Sequence, residues 1–344
     1  MDLSSMLWAL NKLKAPREFL KVVVLVYFTS NLFNLEEDFR WLEYFAGQAS
    51  CTFEMRQAGF RSARFDKLYC QDPGAHGRKT NWMDLTTPAG FALAVVFVMK
   101  GMELDLLSWF GIKCSSLVAV NSGTSKRSAC NSIGLSCPSV DESNTLLERT
   151  ICLCMLVTAK QGVWVLEQPG SSVLEFYPAW LHFLNALYQW YGMKSVRRVA
   201  WWMSRYGAKS PKRQYAWANS PAILRLDVGW KKMKHTIRTC HQYVNKNGKR
   251  CWHGSSQLKR TENYPRPFVQ AIVRLRDDLV NRGTRHSYPS PMPTGVSTVQ
   301  AAWQDDEGLF KQARLSEVVA YLRLGSSLNL PKHWRETIPR PDGF

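Results

Sequence analysis

The sequence predicts an α/β protein built on a doubly wound, mostly parallel, Rossmann-like sheet with an antiparallel edge strand and a small basic C-terminal region. Three observations carry that prediction. Short apolar runs alternate with helix-period segments. Most of those runs stop at an acidic or polar residue. Two late strand-like segments, 196–203 and 214–218, are separated only by the turn-forming stretch 207–213 and suit an antiparallel pair. At 344 residues, 45% hydrophobic and 12% aromatic, the chain has ample material for one large packed core.

Each element follows in order. Residues 1–40 read as a helical extension without a motif. An apolar run closes at Tyr44 and Phe45, and Gly47 lets the backbone turn without a Cβ in the way. Residues 49–57 then read as a helix, Gly59 as its stop, and 61–65 as a strand with Asp66 at its tip. Residues 81–85 read as a third short strand ending at Asp84 and Leu85, and 88–102 as an apolar helix opened by Pro88. A fourth strand, 107–112, runs into Lys113, Cys114, Ser115 and Ser116. After a Ser-, Gly- and Asn-rich loop at 121–139, Asp141 or Ser143 caps a helix over 144–160. Gly162 ends that helix before a strand that stops at Glu167, and an amphipathic helix covers 177–191. In sheets of this kind ligands bind beyond the carboxyl ends of the strands. Gly47, Asp66, Asp84, Cys114 and Glu167 all fall there.

The domain division that follows is an extension at 1–40, a core at 41–220, a small basic recognition-like region at 221–263, a helix returning to the core at 264–285 and a tail at 286–344. The unit from Trp41 to Asp66 has the form of half a nucleotide-cofactor site. A carboxylate at the second strand's tip can hold a ribose diol through two hydrogen bonds. The dinucleotide fingerprint G-x-G-x-x-G is not met, because Ala49 and Thr52 stand where the second and third glycines would be. An adenosine ligand without a pyrophosphate fits better, and S-adenosylmethionine is the commonest such cofactor.

Charge points to the partner. The formal net charge is +18, and residues 194–285 hold 22 Lys and Arg against 4 Asp and Glu, so the rest of the chain is neutral. Concentrated positive charge favours a polyanion, since each phosphate neutralised releases counterions. Trp201, Trp202, Tyr206, Tyr215, Trp217, Trp230, Tyr243 and Trp252 interleave with these charges and are candidates to stack on bases. Nine cysteines without CxxC pairs argue against a disulfide framework. Cys240, His241, Cys251 and His253 do not have a common zinc spacing, and no metal is expected. The longest apolar run, 22–28, is far below the roughly 18 to 20 residues of a membrane span, and no small-x-small cleavage site follows it. An intracellular location, the nucleus included, no membrane association and a monomer are expected.

The order of motifs resembles the cytosine-C5 DNA methyltransferase family. Phe45-Ala46-Gly47 followed by QAGF at 57–60 is similar to that family's first motif, where the cofactor's methionine part sits against the turn. Asp66 matches its ribose-holding acid, and Asp84-Leu85 resembles its third motif, whose aspartate accepts from the adenine amino group. Cys114 stands in the place of the nucleophile, with Lys113 where the family has proline. Glu167 stands in the glutamate place of the Glu-Asn motif, with Gln168 where the family has asparagine. The segment 206–217 resembles the basic motif, with Arg213 the best match and Lys212 the alternative. Residues 264–280 resemble the closing motif that returns to the cofactor.

The resemblance implies S-adenosyl-L-methionine as cofactor, bound by Phe45, Ala46, Gly47, Asp66, Asp84 and Leu85. It implies catalysis by Cys114, Glu167 and Arg213 in DNA methylation. Cys114 would attack C6 of a flipped cytosine, Glu167 would hold N4 and protonate N3, and Arg213 would offset negative charge near the base. Lys113 is a candidate to lower the thiol pKa of its neighbour. Ser115, Lys212, Lys231, Lys232, Lys249 and Arg250 are the expected nucleic-acid contacts, with DNA favoured over RNA. The alternatives are a catalytically inactive protein of the same fold that binds nucleic acid or cofactor, and an RNA cytosine methyltransferase.

Overall fold

The structure is a computed structural model that describes residues 3–29, 38–69, 81–230, 233, 236–237, 239–248, 250–255, 257–258 and 261–281. The tail expected at 286–344 lies outside the described residues, as do Lys231, Lys232 and Lys249.

A six-stranded sheet is built from β1 (Trp41–Tyr44), β2 (Ser62–Phe65), β3 (Leu107–Gly111), β4 (Val163–Pro169), β5 (Arg197–Trp202) and β6 (Arg213–Ala218), in the order β2-β1-β3-β4-β6-β5. β2, β1, β3 and β4 are mutually parallel, and β6 is antiparallel to both β4 and β5. The expected antiparallel strand is therefore present, but one place in from the edge. β5 forms the edge, and the chain then turns back through β6 into the gap beside β4. A second sheet is the hairpin β7 (Cys240–Val244) and β8 (Arg250–Gly254).

The strands are short and buried on both faces, as a covered sheet requires. Alternate residues serve opposite layers. Leu42, Tyr44, Phe110, Trp164 and Leu166 face the larger core, formed with α1 (Leu3–Lys12), α2 (Arg17–Thr29), α4 (Pro88–Met99), α6 (Pro138–Ala159) and α7 (Pro178–Tyr191). Trp41, Leu107, Trp109, Val163 and Val165 face the other core, under α3 (Ser50–Gln57) and α8 (Arg266–Val280). The N-terminal helices pack into the first core with Leu7, Leu10, Phe19 and Val23 fully buried, lying against α6 and α4. α8 is fastened by the buried Arg276, whose guanidinium meets Asp105 at 2.6 Å.

Two local expectations are corrected. Residues 81–85 form turns instead of a strand. Asn81 Oδ1 accepts the Met83 N–H at 3.0 Å and Asp84 Oδ1 accepts the Thr86 N–H at 2.9 Å, so side chains satisfy the backbone groups that a strand would offer to a neighbour. α6 begins at Pro138 with Cys137 as its N-cap, six residues ahead of the expected start. Proline at the first helical position lacks only an N–H that has no partner there, which explains the earlier start.

The chain leaves β1 for β2 on one side and returns to β3 on the other. The carboxyl ends of β1 and β3 therefore flank a topological switch point, where ligands of open α/β sheets bind.

Candidate functional site

The turn after β1 is built from residues with positive φ. Phe45, Gly47 and Ala49 have φ of 59°, 53° and 53°. The Phe45 N–H donates to the Phe65 carbonyl at 2.8 Å, fixing the turn to β2. Asp66 completes it, accepting the Gly47 N–H on Oδ2 at 2.9 Å and the Leu68 N–H on Oδ1 at 2.9 Å, while the Tyr69 hydroxyl donates to the Gly47 carbonyl. Space is open where a Cβ on Gly47 would lie. Ala46 is half-buried between them.

Beneath the turn lies a residue that the sequence reading missed. Glu43 is 3% exposed in β1, and its Oε2 accepts the N–H of Thr52 at 2.7 Å and the hydroxyl of Thr52 at 2.6 Å. It serves as an internal cap for the first turn of α3. Burial pushes its pKa up to about 7 against those hydrogen bonds. An acid inside an otherwise apolar four-residue strand was the available clue.

Asp84 and Leu85 sit at the start of α4. The Asp84 carboxylate also accepts the Thr86 hydroxyl at 2.7 Å. The Leu85 side chain is buried, and its carbonyl accepts from the buried Arg149 at 2.6 Å. The Asp84 contacts are local, whereas the Leu85 carbonyl ties the turn to α6 through Arg149.

Across the switch point, β3 leads into Cys114 and β4 carries Glu167. Glu167 lies inside the strand, paired with Gly111, because β4 continues to Pro169. Its Oε2 accepts the Tyr264 hydroxyl at 2.9 Å, and its Oε1 is buried without a hydrogen-bond partner among the described residues. Burial raises the Glu167 pKa, with Lys212 and the Tyr264 hydroxyl acting against it. Burial also raises the Cys114 thiol, Lys212 opposes this, and Glu167 adds to it. Lys212 thus acts electrostatically on both Cys114 and Glu167, and Glu167 acts on Cys114.

The cation acting on Cys114 and Glu167 is Lys212, which lies just ahead of β6 and donates to the Thr261 carbonyl at 3.0 Å. Arg213 is the first residue of β6, exposed, with its guanidinium 5.7 Å from the Trp202 ring centre. Lys113 is likewise directed elsewhere. Its amine meets Glu142 at 2.9 Å, and Glu142 also meets Lys67 at 3.0 Å, so the cation acting on the thiol is Lys212 instead.

Gln168 does what its place requires. It is fully buried, donates to the Ile112 carbonyl at 2.8 Å and accepts from the Ser172 hydroxyl at 3.0 Å, which ties β4 to the loop carrying Cys114. Ser115 is half-buried, and its carbonyl accepts from Asn121. The buried Arg127 braces the same loop, donating to Ser116 at 3.2 Å and to Asn144 at 2.8 Å.

A cavity of about 450 Å³ begins at Gln48, Ala49 and Ser50, immediately after the Gly47 turn, and reaches Tyr264 and Arg266 at the start of α8. None of the six expected cofactor residues lines it, yet it adjoins their turn on one side and the partner of Glu167 on the other.

The aromatic residues of the basic region divide. Trp201 and Tyr206 belong to the core beneath α8, Tyr215 is also buried, and Trp202 and Trp217 are half-buried. Trp230, Tyr243 and Trp252 are 63%, 50% and 52% exposed. Tyr243 and Trp252 project from the hairpin, whose Arg250 is also exposed.

Comparison of the chain with protein-family models and with curated protein sequences finds no match. Among the described residues no helix is long and apolar enough to cross a membrane.

Proposed function

We propose that this chain is an S-adenosylmethionine-dependent methyltransferase that modifies cytosine at C5 in DNA through a covalent adduct on Cys114. The observation that carries the proposal is Glu167 Oε1, buried without a hydrogen-bond partner among the described residues, in a carboxyl group that shares the electrostatic influence of Lys212 with Cys114 at the carboxyl edge of the sheet. An orphaned buried carboxylate oxygen is costly, and an amino group from a ligand would satisfy it.

The turn fits the cofactor. Gly47 leaves room for close approach, and the Asp66 carboxylate keeps lone pairs for a ribose diol after accepting two backbone N–H groups. The adjoining cavity is within the usual size range for small ligands, about 300 to 1,000 Å³. When bound, the cofactor supplies an electrophilic methyl group. The chain's own residues do the rest. Lys212 favours the Cys114 thiolate, which bonds to C6 of the base. Glu167, its pKa raised by burial, gives its proton to N3 as that bond forms and accepts from the N4 amino group through Oε1. After C5 has been alkylated and its proton has passed to solvent, the sulfur–C6 bond breaks, its electron pair returns to Cys114 as thiolate, and Glu167 regains the N3 proton.

The hairpin supports DNA over RNA, because a two-stranded ribbon enters the major groove of B-form DNA while the deep, narrow major groove of A-form RNA excludes it. A second reading, a non-catalytic nucleic-acid-binding protein, is favoured by the burial that raises the Cys114 thiol.

A duplex containing 5-fluorocytosine, incubated with protein and cofactor, separates the two. A covalent adduct that persists on denaturing gels and disappears in Cys114→Ser is expected. Salt-sensitive DNA binding without any adduct would sink the catalytic reading and leave the binding one.

A further inference from the structure

We infer that Tyr264 is a positioning residue for Glu167: it holds Oε2 and so leaves Oε1 as the face of the carboxyl group offered to a substrate. The contact is built from three elements. Trp109 in β3 donates through Nε1 to the Tyr264 hydroxyl oxygen at 3.2 Å, and Tyr264, just ahead of α8, donates to Glu167 Oε2 in β4 at 2.9 Å. Donation into the hydroxyl oxygen polarises its O–H and makes it a better donor to the carboxylate. Gly111, the strand partner of Glu167, leaves the necessary space, since a Cβ there would lie 3.1 Å from the Tyr264 hydroxyl and 3.8 Å from Glu167 Oε2. The tyrosine ring is itself locked edge-on against Trp109 and Phe268, with ring centres at 6.3 and 5.1 Å.

The same short segment also holds Lys212, which donates to the Thr261 carbonyl, so residues 261–264 contact both Glu167 and Lys212. The inference rests on Glu167 being the substrate-holding carboxyl group. The groups that face it are Tyr264, Lys212, Cys114, Cys51 on α3 and Tyr215 on β6.

The test uses the full chain and needs no turnover. The infrared band of protonated Glu167, identified by its loss in Glu167→Gln, is followed against pH. In Tyr264→Phe, which keeps the ring packing, the midpoint is expected to rise by about one unit, the loss of one hydrogen bond to a charged group. Trp109→Phe is expected to move it less and in the same direction, and it supplies the answer if Tyr264→Phe does not fold. An unmoved midpoint in the folded variant overturns the positioning role, since a merely structural tyrosine would leave it in place. The two proposals fail separately: an absent adduct in the wild-type protein counts against catalysis, and an unmoved midpoint counts against Tyr264.

Discussion

Glu43 and Glu167 are the same residue type, both buried in central strands of one sheet, and both with pKa values raised by burial. Their surroundings differ. One oxygen of Glu43 takes two hydrogen bonds from Thr52, and the Cys51 thiol adds another, so this carboxyl group is absorbed by the fold. Glu167 receives one bond, from Tyr264, and its second oxygen is left bare in the interior. The contrast teaches how a site can be told from a support in this protein. Burial and a raised pKa are common to both residues, and the unmet hydrogen bond is what separates Glu167 from Glu43.

The comparison breaks most sharply on chemistry. Replacing Glu167 by Gln is expected to slow adduct formation with the fluorinated duplex by about 10² to 10⁴-fold, the usual worth of a general acid. Glu43→Gln is expected to leave that rate within a few-fold. Equal losses in the two variants, measured as gel-resolved adduct rates, would erase the distinction.

Stability provides the next largest effect, with the roles exchanged. The folded Glu43 pKa, about 7, lies above the ordinary value of 4.5, so its contribution is complete below pH 4.5 and is lost as pH rises through 7. Between those limits the wild-type protein should lose about 3 kcal/mol of unfolding free energy to this residue. Urea unfolding at pH 4.5 and pH 8 should show that loss shrinking in Glu43→Gln, with the part owed to Glu167 remaining. A pH dependence identical to wild type would refute the assignment.

Asp66→Ala removes the carboxylate that pins Gly47 and Leu68. Titration calorimetry with S-adenosylhomocysteine is expected to register a fall in affinity of about tenfold, the scale of one hydrogen bond to a charged group. Full retention of affinity would place the ligand elsewhere than the turn. The smallest difference lies between adjacent cations. Lys212→Met should slow alkylation of Cys114 at neutral pH by several-fold through a higher thiol pKa, and Arg213→Met should leave it unchanged. The opposite ranking would return Arg213 to the cleft.

Much of the sheet could be read from the sequence because its strands are short apolar runs closed by turn residues. The segments near 41–44, 62–65, 107–111, 163–169, 197–202 and 213–218 all formed strands. The failure at 81–85 has a local cause, since the Asn81 and Asp84 side chains satisfy the backbone themselves. The turn at Gly47 and the strand tip at Asp66 were legible because they lie within one strand–turn–helix–strand unit, where the Gly47 N–H donates to Asp66. Lys212 and Arg213 could not be ranked from their neighbourhood in sequence. Their placement rests on long-range contacts, since Lys212 donates to the Thr261 carbonyl while Arg213 lies exposed beside Trp202.

The sequence by itself determined the alternation of strands and helices, the turn at Gly47 and the concentration of positive charge after residue 194, because these depend on periodicity, backbone freedom and composition. Tertiary structure alone decided which aromatic residues of the basic region are exposed, which cation acts on Cys114, and that Tyr264, 97 residues from Glu167, completes its surroundings. Those outcomes depend on which surfaces meet when α8 and the segment before it close over the sheet, and no local pattern in the chain encodes such a meeting.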